Sequence, residues 1–449
     1  MNYFIFGYAN SIADLTAEKL AFEGLSLLTE DEGILSGYVA TDFNDEFAEQ
    51  GDVVKAAYPV EMVADRVPEG GATPFNNLTS GSHLVKLNQL ISQAFSIPDR
   101  EQQRSFVEIV DFYIAPAIRS MSRFANNVVQ GEKYKSHANS VGKVGTPLDY
   151  TDILAAGKLQ TLNDVPAVGR HLFFGASAGA DIRNMSKFVD NVSSTDPSVV
   201  RSGAIGTING YVAHETNSFQ TVADTTKRDT TCDVAAVVGG TSIGVADMTG
   251  TIVAGSWARV DGQPYRIASH TGGTTPTAFV VDSPFRKAVA TSAVVEVYTP
   301  SVVNHPTAGT YAAGYEGAVG FDGGVTPVVG QGVTFGTAGE PYSVIKVVGA
   351  DVWLSRPLDV AVANDAAMFL MPGGNYGLGL WRSSIQLVNR PLRVPGAGRG
   401  VDAATVSGNG WSLRVMSQYD IDYKTTKYSF DFLMGIATID ASANVLLLG

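Results

Sequence analysis

The sequence predicts an α+β fold. Three observations carry that expectation: a long amphipathic stretch over 98–130, two strand-like runs ahead of it, and a long β-rich remainder behind it. Within 98–130 apolar side chains fall at Phe106, Ile109, Val110, Tyr113, Ile114, Ala117, Ile118, Met121, Phe124, Ala125 and Val128. That is the 3.6-residue beat of one buried helical stripe. Pro98 is expected to open the helix, where a missing N–H costs nothing, with Asp99 and Glu101 favouring its positive end and Gly131 closing it. At ~1.5 Å per residue the rod would run roughly 50 Å. Ordinary globular helices span roughly 8–20 residues, so this one reads as a strut, and a strut points to a mechanical subunit. Pro116 falls inside it; an interior proline removes a hydrogen bond at a cost of ~3 kcal/mol and predicts a bend.

The remaining elements follow in chain order. A mixed arm occupies 1–50: a short helix over 15–28, the acidic cluster Glu30, Asp31 and Glu32, and a second acidic patch of Asp42, Asp45, Glu46 and Glu49. These acids read either as a solvated surface or as a docking arm for a neighbouring subunit or a basic partner. Residues 51–95 form an extended hairpin, its strand-like runs 52–67 and 82–95 separated by the Gly/Pro loop 68–74. A two-stranded hairpin is marginal alone in water, so a neighbouring copy is its expected support. The strut and a linker fill 96–145. Residues 146–220 alternate helix (149–161), strand (171–174), helix (178–189) and a hairpin over 205–214 turning at Asn209-Gly210. Residues 221–363 carry an internal repeat: Gly262-Gln263-Pro264-Tyr265-Arg266-Ile267 with Asp282-Ser283-Pro284-Phe285 and Val289, then Gly339-Glu340-Pro341-Tyr342-Ser343-Val344 with Ser355-Arg356-Pro357-Leu358 and Val362. Two related β-modules are expected, each a small barrel. Residues 364–449 return to mixed structure: a helix or strand over 379–388, then long strands over 411–418 and 428–439 joined by the polar link 419–426.

Composition narrows the classes. The chain has 449 residues, 45% hydrophobic and 17% charged, enough for a large core shared among two or three domains. One cysteine, Cys232, rules out an intrachain disulfide or thiolate cluster and fits a reducing compartment. Net charge is −13 with no run of Lys or Arg, so tight duplex binding is not expected; an acidic wall would let packed DNA slide past it. No apolar run approaches the ~20 residues that span a bilayer, and 1–13 has no basic leader, so a non-secreted, non-membrane protein is expected.

The sharpest enzyme-like motif is Gly175-Ala176-Ser177-Ala178-Gly179, between an expected strand and helix as in a nucleophile elbow. Such an elbow needs a histidine and an acid. The later histidines, His214, His270 and His305, lie in or beside Gly-rich β segments, and no His-Gly-Gly loop precedes the serine. The bland reading is a small-residue turn in which Ser177 caps the following helix. His83, His137, His171, His214, His270 and His305 are scattered without zinc-ligand spacing. Asp420 and Asp422 share one face of an extended segment but lack the further ligands of a calcium loop. The glycines of 374–379 lack the strand–helix context of a phosphate loop. No catalytic, cofactor or metal residue is assigned.

The order of elements resembles the major capsid proteins of tailed bacteriophages. Gly51-Asp52-Val53-Val54 is similar to the start of that family's extended loop, and Phe95-Ser96-Ile97-Pro98-Asp99 with its helix resembles the spine. Arg201-Ser202-Gly203-Ala204-Ile205-Gly206-Thr207-Ile208-Asn209-Gly210-Tyr211 is similar to a segment of the Podoviridae-type coat subgroup, and Tyr428-Ser429-Phe430-Asp431-Phe432-Leu433-Met434-Gly435-Ile436-Ala437 resembles the closing strand. The resemblance implies a Hong Kong 97-type fold with a spine helix, an extended loop, a peripheral α+β domain over 146–220, an inserted β-barrel domain at 221–363 and an axial domain over 364–449. A second barrel copy departs from the subgroup. It implies a non-enzymatic shell protein of the virion. Copies would form pentamers and hexamers that enclose double-stranded DNA in an icosahedral head assembled in the host cytoplasm. The implied partners are itself, a scaffolding protein, a portal, a decoration protein and, non-specifically, the packaged DNA. The family's lysine–asparagine crosslink finds no matching pair. The competing classes are an α/β hydrolase using Ser177 and a β-rich adhesin or tail component.

Overall fold

The computed structural model describes residues 17–30, 36–43, 47–58, 66–67, 81–101, 109–185, 206–246, 248, 250–273, 275–322, 325–337, 339–395, 401–408 and 410–449. The arm 1–16, the loop 68–74, Asp31, Glu32, Asp45, Glu46, Phe106 and the segment 201–205 lie outside the described residues. The chain divides into two compact units, each discontinuous in sequence: 1–32 with 40–121 and 385–439, and 33–39 with 122–384 and 440–449.

The first unit is built on the strand Thr425–Thr438, 14 residues long. One of its edges pairs with Gln89–Pro98 from Thr425↔Pro98 to Met434↔Gln89. Its other edge pairs with Trp411–Asp420 and then with Ile385–Arg390. Asp402–Gly408 and Ala40–Phe43 complete a six-stranded sheet, the latter running parallel to Ile385–Arg390. Phe430, Phe432, Leu433 and Met434 are all buried, which two covered faces require. The helix Ala17–Glu30 lies close over the sheet at Gly24, where a Cβ would come within 2.9 Å of Leu413 and 3.5 Å of Ile118. Asp42 belongs to this sheet and is no free docking group: its carbonyl accepts from Arg390 Nη1 at 3.0 Å and its carboxylate from Nη2.

Several sequence expectations change here. Pro98 does not open the helix; it ends the strand Gln89–Pro98, and the described helix begins at Ile109. Strand pairing with Thr425–Thr438 claims the residues that local rules gave to a helix start. The run 82–95 is two strands, Gly81–Lys86 and Gln89–Pro98, separated where the Leu87 amide donates to the Asp52 carbonyl. Pro116 is met by a turn of π-helix over Val110–Ile114, where the Ala115 amide donates back to the Val110 carbonyl. The wider turn accommodates the proline without breaking the rod. Gly131 does not close the helix Ala115–Gly131: at φ −56° it leads into a 3₁₀ run over Glu132–Asn139. Its missing Cβ instead admits Ser355, whose Oγ would lie 2.8 Å from that Cβ. Tyr113 and Phe124 of the predicted stripe are only half-buried.

The second unit holds a six-stranded mixed sheet in the order Ser140–Gly142, Val445–Leu448, Tyr376–Trp381, Arg170–Phe174, Tyr211–Glu215, Thr207–Ile208. The helix Tyr150–Leu162 starts with a reciprocal capping box between Asp149 and Asp152. The predicted hairpin turns at Asn209 and Gly210, both at positive φ (49° and 82°), the signature of a type I′ turn. The helix expected over 178–189 is Ala176–Asn184.

The repeat of 221–363 becomes two closed six-stranded barrels. The first runs from Lys227–Val234 to Val294–Tyr298, the second from Ser301–Val303 to Ala367–Leu370. Numbering six strands in each, both close in the same order, 1-2-5-4-3-6. The repeated motif marks strand four in both. The bulge between Ile267 and Ser269 recurs between Val344 and Lys346. The bridge Ala236↔Val289 recurs as Tyr311↔Val362. Both barrels grip the 3₁₀ run through the turn before their shared proline. Arg356 Nη1 reaches Glu132 at 3.5 Å, and Asp282 faces His137 Nε2 at 3.4 Å.

Buried ion pairing in the first sheet gives a stability test. Asp431 accepts from Arg414 at 2.8 Å and from the hydroxyls of Ser92 and Ser429 at 2.6 and 2.8 Å. Asp431→Ala strands a mostly buried guanidinium and should cost about 3 kcal/mol in urea unfolding, with Asp431→Asn milder.

Candidate assembly surface and polar sites

The hairpin Val53–Tyr58/Gly81–Lys86 has two unlike faces because side chains alternate along a strand. Ala56 and Val85 turn inward and join Leu87, Val388, Leu392 and Leu433 in one core cluster. Val53, Lys55, Leu84 and Lys86 turn outward, with Leu84 68% exposed. A second apolar projection sits at the turn between Trp411–Asp420 and Thr425–Thr438. There Asp420 accepts from the amides of Asp422 and Tyr423 and from Lys427 Nζ, which fixes the turn. Ile421 and Tyr423 stand 68% and 77% exposed on it. Phe47 and Phe112, in the same unit, are also exposed. These exposed apolar side chains are the candidates for surface that another chain covers. Asp420 is thus a turn-former, and the described residues hold no group of three metal-ligating side chains.

Ser177 does have its predicted strand–turn–helix context, between Arg170–Phe174 and Ala176–Asn184. The elbow goes no further. Its Oγ accepts from Asn375 Nδ2 at 3.2 Å. Nor does Ser177 cap the helix; Gly175 holds the N-cap position without a side-chain bond. Gly175 is glycine because a Cβ would sit 1.7 Å from the Phe219 carbonyl oxygen. Gly373 and Gly374 line a cleft of about 420 Å³ with Asp181, Asp224, Arg259 and Asn375. Two of its charges, Asp224 and Arg259, pair with each other at 3.0 Å. Burial works against the Asp224 carboxylate, but Tyr298, Lys227 and Arg259 outweigh it and hold its pKa below the ordinary value.

The histidines resolve individually. His137 bridges the Tyr134 carbonyl and Asp282. His305 Nδ1 accepts from the Gly309 amide at 3.2 Å. His83 lies half-buried on the hairpin, and His270 Nδ1 is buried without a hydrogen-bond partner among the described residues. His171 and His214, 43 residues apart, come together with their ring nitrogens 3.2 Å apart. Nothing in their spacing pairs them; only the parallel pairing of their strands does.

Sequence reading also missed Lys133. Its side chain is wholly buried, with Nζ 4.7 Å from the Phe219 ring centre, 4.9 Å from Tyr134 and 5.9 Å from Tyr376. Among the described residues Nζ has no hydrogen-bond partner. Its place directly after the strut's polar face, in a run Glu-Lys-Tyr-Lys, gave no apolar signal.

No family model matches the chain, and no curated protein matches it. Solved structures to which it is similar include one from Mycobacterium phage Che8, at 11% identity and a TM-score of 0.39 over 100% of this chain and 94% of that one. The capsid of cyanophage P-SCSP1u is similar at 8% identity and 0.40 over 92% and 86%. The virus-like particle of Pyrococcus furiosus is similar at 9% and 0.36 over 96% and 98%.

Burial lowers the Lys133 pKa from 10.5 to about 7. Between those two values the unfolded chain holds the extra proton, so stability should rise with pH there by ~1.4 kcal/mol per unit. Lys133→Met should abolish that slope. Its gain over wild type should be greatest at pH 7 and below and shrink toward pH 10, as read from urea unfolding at three pH values.

Proposed function

We propose that this chain is a major capsid protein of a tailed bacteriophage. The observation that carries the reading is the outward apolar surface of the first unit, on the hairpin at Val53 and Leu84 and on the turn at Ile421 and Tyr423. A shell subunit gains stability by burying such faces against its neighbours, and many modest contacts sum through multivalency. The sequence resemblance of the closing strand and the extended loop supports the same reading. So does Ser177, which is bonded to an amide where a hydrolase would place a histidine.

In this reading the fold is the Hong Kong 97 type, the helix Ala115–Gly131 is its spine, and the two barrels are its inserted domain, duplicated relative to the Podoviridae-type subgroup. Copies assemble into pentamers and hexamers that close an icosahedral head around double-stranded DNA in the host cytoplasm. Scaffolding protein, portal and a decoration protein are its partners. The net charge of −13 keeps contact with the genome weak and non-specific. The chain performs no catalysis.

Negative-stain microscopy and sedimentation of the purified protein, with scaffold supplied, test this directly. Capsomers or closed shells are expected. A monomer at every salt and protein concentration rejects the proposal. Leu84→Asp with Ile421→Asp should raise the concentration needed for assembly at least tenfold while leaving the circular dichroism spectrum unchanged. Ser177→Ala should leave assembly as it is, and the wild type should not react with an acyl-serine probe.

A further inference from the structure

We propose that His171 and His214 form an acid-sensitive clasp that holds the segment 36–39 on the sheet of the second unit and lets it go when both rings are protonated. The geometry is set by strand pairing. His171 lies opposite Val212 and Phe173 opposite His214, so the two histidines sit diagonally on one face of adjacent parallel strands. Nδ1 of His171 and Nε2 of His214 are 3.2 Å apart. A hydrogen bond at that distance needs one N–H and one lone pair. Two imidazolium rings offer no lone pair, and they repel.

The clasp holds Tyr38. Its ring centre lies 4.4 Å from that of His171, 4.3 Å from His214 and 5.8 Å from Phe173. Tyr38 belongs to the single 3₁₀ turn Ser36–Tyr38, and the next residue, Val39, is fully buried. A stretch of chain remote in sequence is therefore anchored to this sheet face by stacking on two titratable rings.

The charges around the pair favour release. Arg382, in the turn Arg382–Ser384, acts on His171 as a nearby cation. The other charged residues of the two strands point elsewhere. Arg170 donates to the Pro166 carbonyl, and Glu215 accepts from Arg183. Among the described residues no carboxylate is recorded against the rings. Burial first, then Arg382, lowers the His171 pKa; burial first, then His171, lowers that of His214 to about 4. Folded values below the ordinary 6.5 mean that the open form takes up protons first as pH falls. The clasp is therefore complete above about pH 6.5 and is lost on the way down to about 4. The same Arg382, and the lack of a third donor among the described residues, set the pair apart from a metal site.

Hydrogen exchange of the unassembled protein, followed by mass spectrometry from pH 7.5 to 4.5 and corrected for intrinsic exchange, tests the proposal. Peptides covering 37–39 should lose at least tenfold protection across that range, while those within Thr425–Thr438 keep theirs. In His214→Gln and His171→Gln the glutamine can still hydrogen-bond but cannot titrate, leaving one titrating ring, and each should lose at least threefold less protection of 37–39 by pH 4.5 than the wild type. Unchanged protection in the wild type overturns the proposal by itself. Equal loss in the wild type and in whichever glutamine variant folds overturns it too, because the histidines would then be bystanders. None of these outcomes depends on shell formation.

Discussion

A strand has two edges and two faces to satisfy, and the first unit depends on Thr425–Thr438 satisfying all of them. Its fourteen residues carry an uninterrupted buried stretch from Phe430 to Met434. Backbone N–H and C=O groups that deep must be paired. Gln89–Pro98 covers one edge, while Trp411–Asp420 and Ile385–Arg390 share the other end to end. The one charge admitted, Asp431, is held by Arg414 and two serines. With that sheet turned inward, the hairpin and the 421–424 turn carry some of the unit's exposed apolar side chains.

The second unit solves a different problem, that of seating two copies of one module on a short piece of chain. The barrels share strand order, bulge and bridge around cores of different side chains. Their docking turns differ in sign. Asp282 faces His137 on one side, and Arg356 faces Glu132 on the other. Asp282 stands two residues before its barrel's proline and Arg356 one residue before its own, so the two copies reach Glu132–Asn139 from different positions of the shared turn. Trp257 of the first barrel donates to Thr334 of the second at 3.2 Å, which sets them against each other directly.

Polar groups buried without partners mark where this packing carries a cost. Asn126 Oδ1, Gln130 Oε1 and Lys133 Nζ lie along the end of the strut and its continuation, all without a hydrogen-bond partner among the described residues. An unmatched buried polar group costs ~1–3 kcal/mol and a charge more. Lys133 meets that cost by losing its proton near neutral pH, with aromatic faces around it while the charge remains. The His171–His214 pair meets it by sharing one hydrogen bond between two rings. The two groups respond to pH in different ranges because one is an isolated cation and the other a coupled neutral pair.

What the sequence determined by itself was everything that depends on neighbours along the chain. The 3.6 period fixed a helix through Ile114, Ile118, Met121, Ala125 and Val128, all buried. Asn209-Gly210 fixed a type I′ turn, Asp149 with Asp152 a capping box, and the Gly-x-Pro-Tyr repeat two equivalent modules. What only the tertiary structure decided was which surfaces meet. Pro98 and Asp99 satisfy every local rule for a helix start, yet pairing with a strand over 320 positions later makes Pro98 a strand end, because a ten-residue ladder outweighs a cap. Gly131 and Gly175 look like turn punctuation, and are there instead because Ser355 and the Phe219 carbonyl come too close for a Cβ. His171 and His214 become neighbours, and Lys133 becomes buried, only when sheets and barrels close. Periodicity and turn chemistry are written locally; partner choice is set by burying apolar area between segments that no local pattern connects.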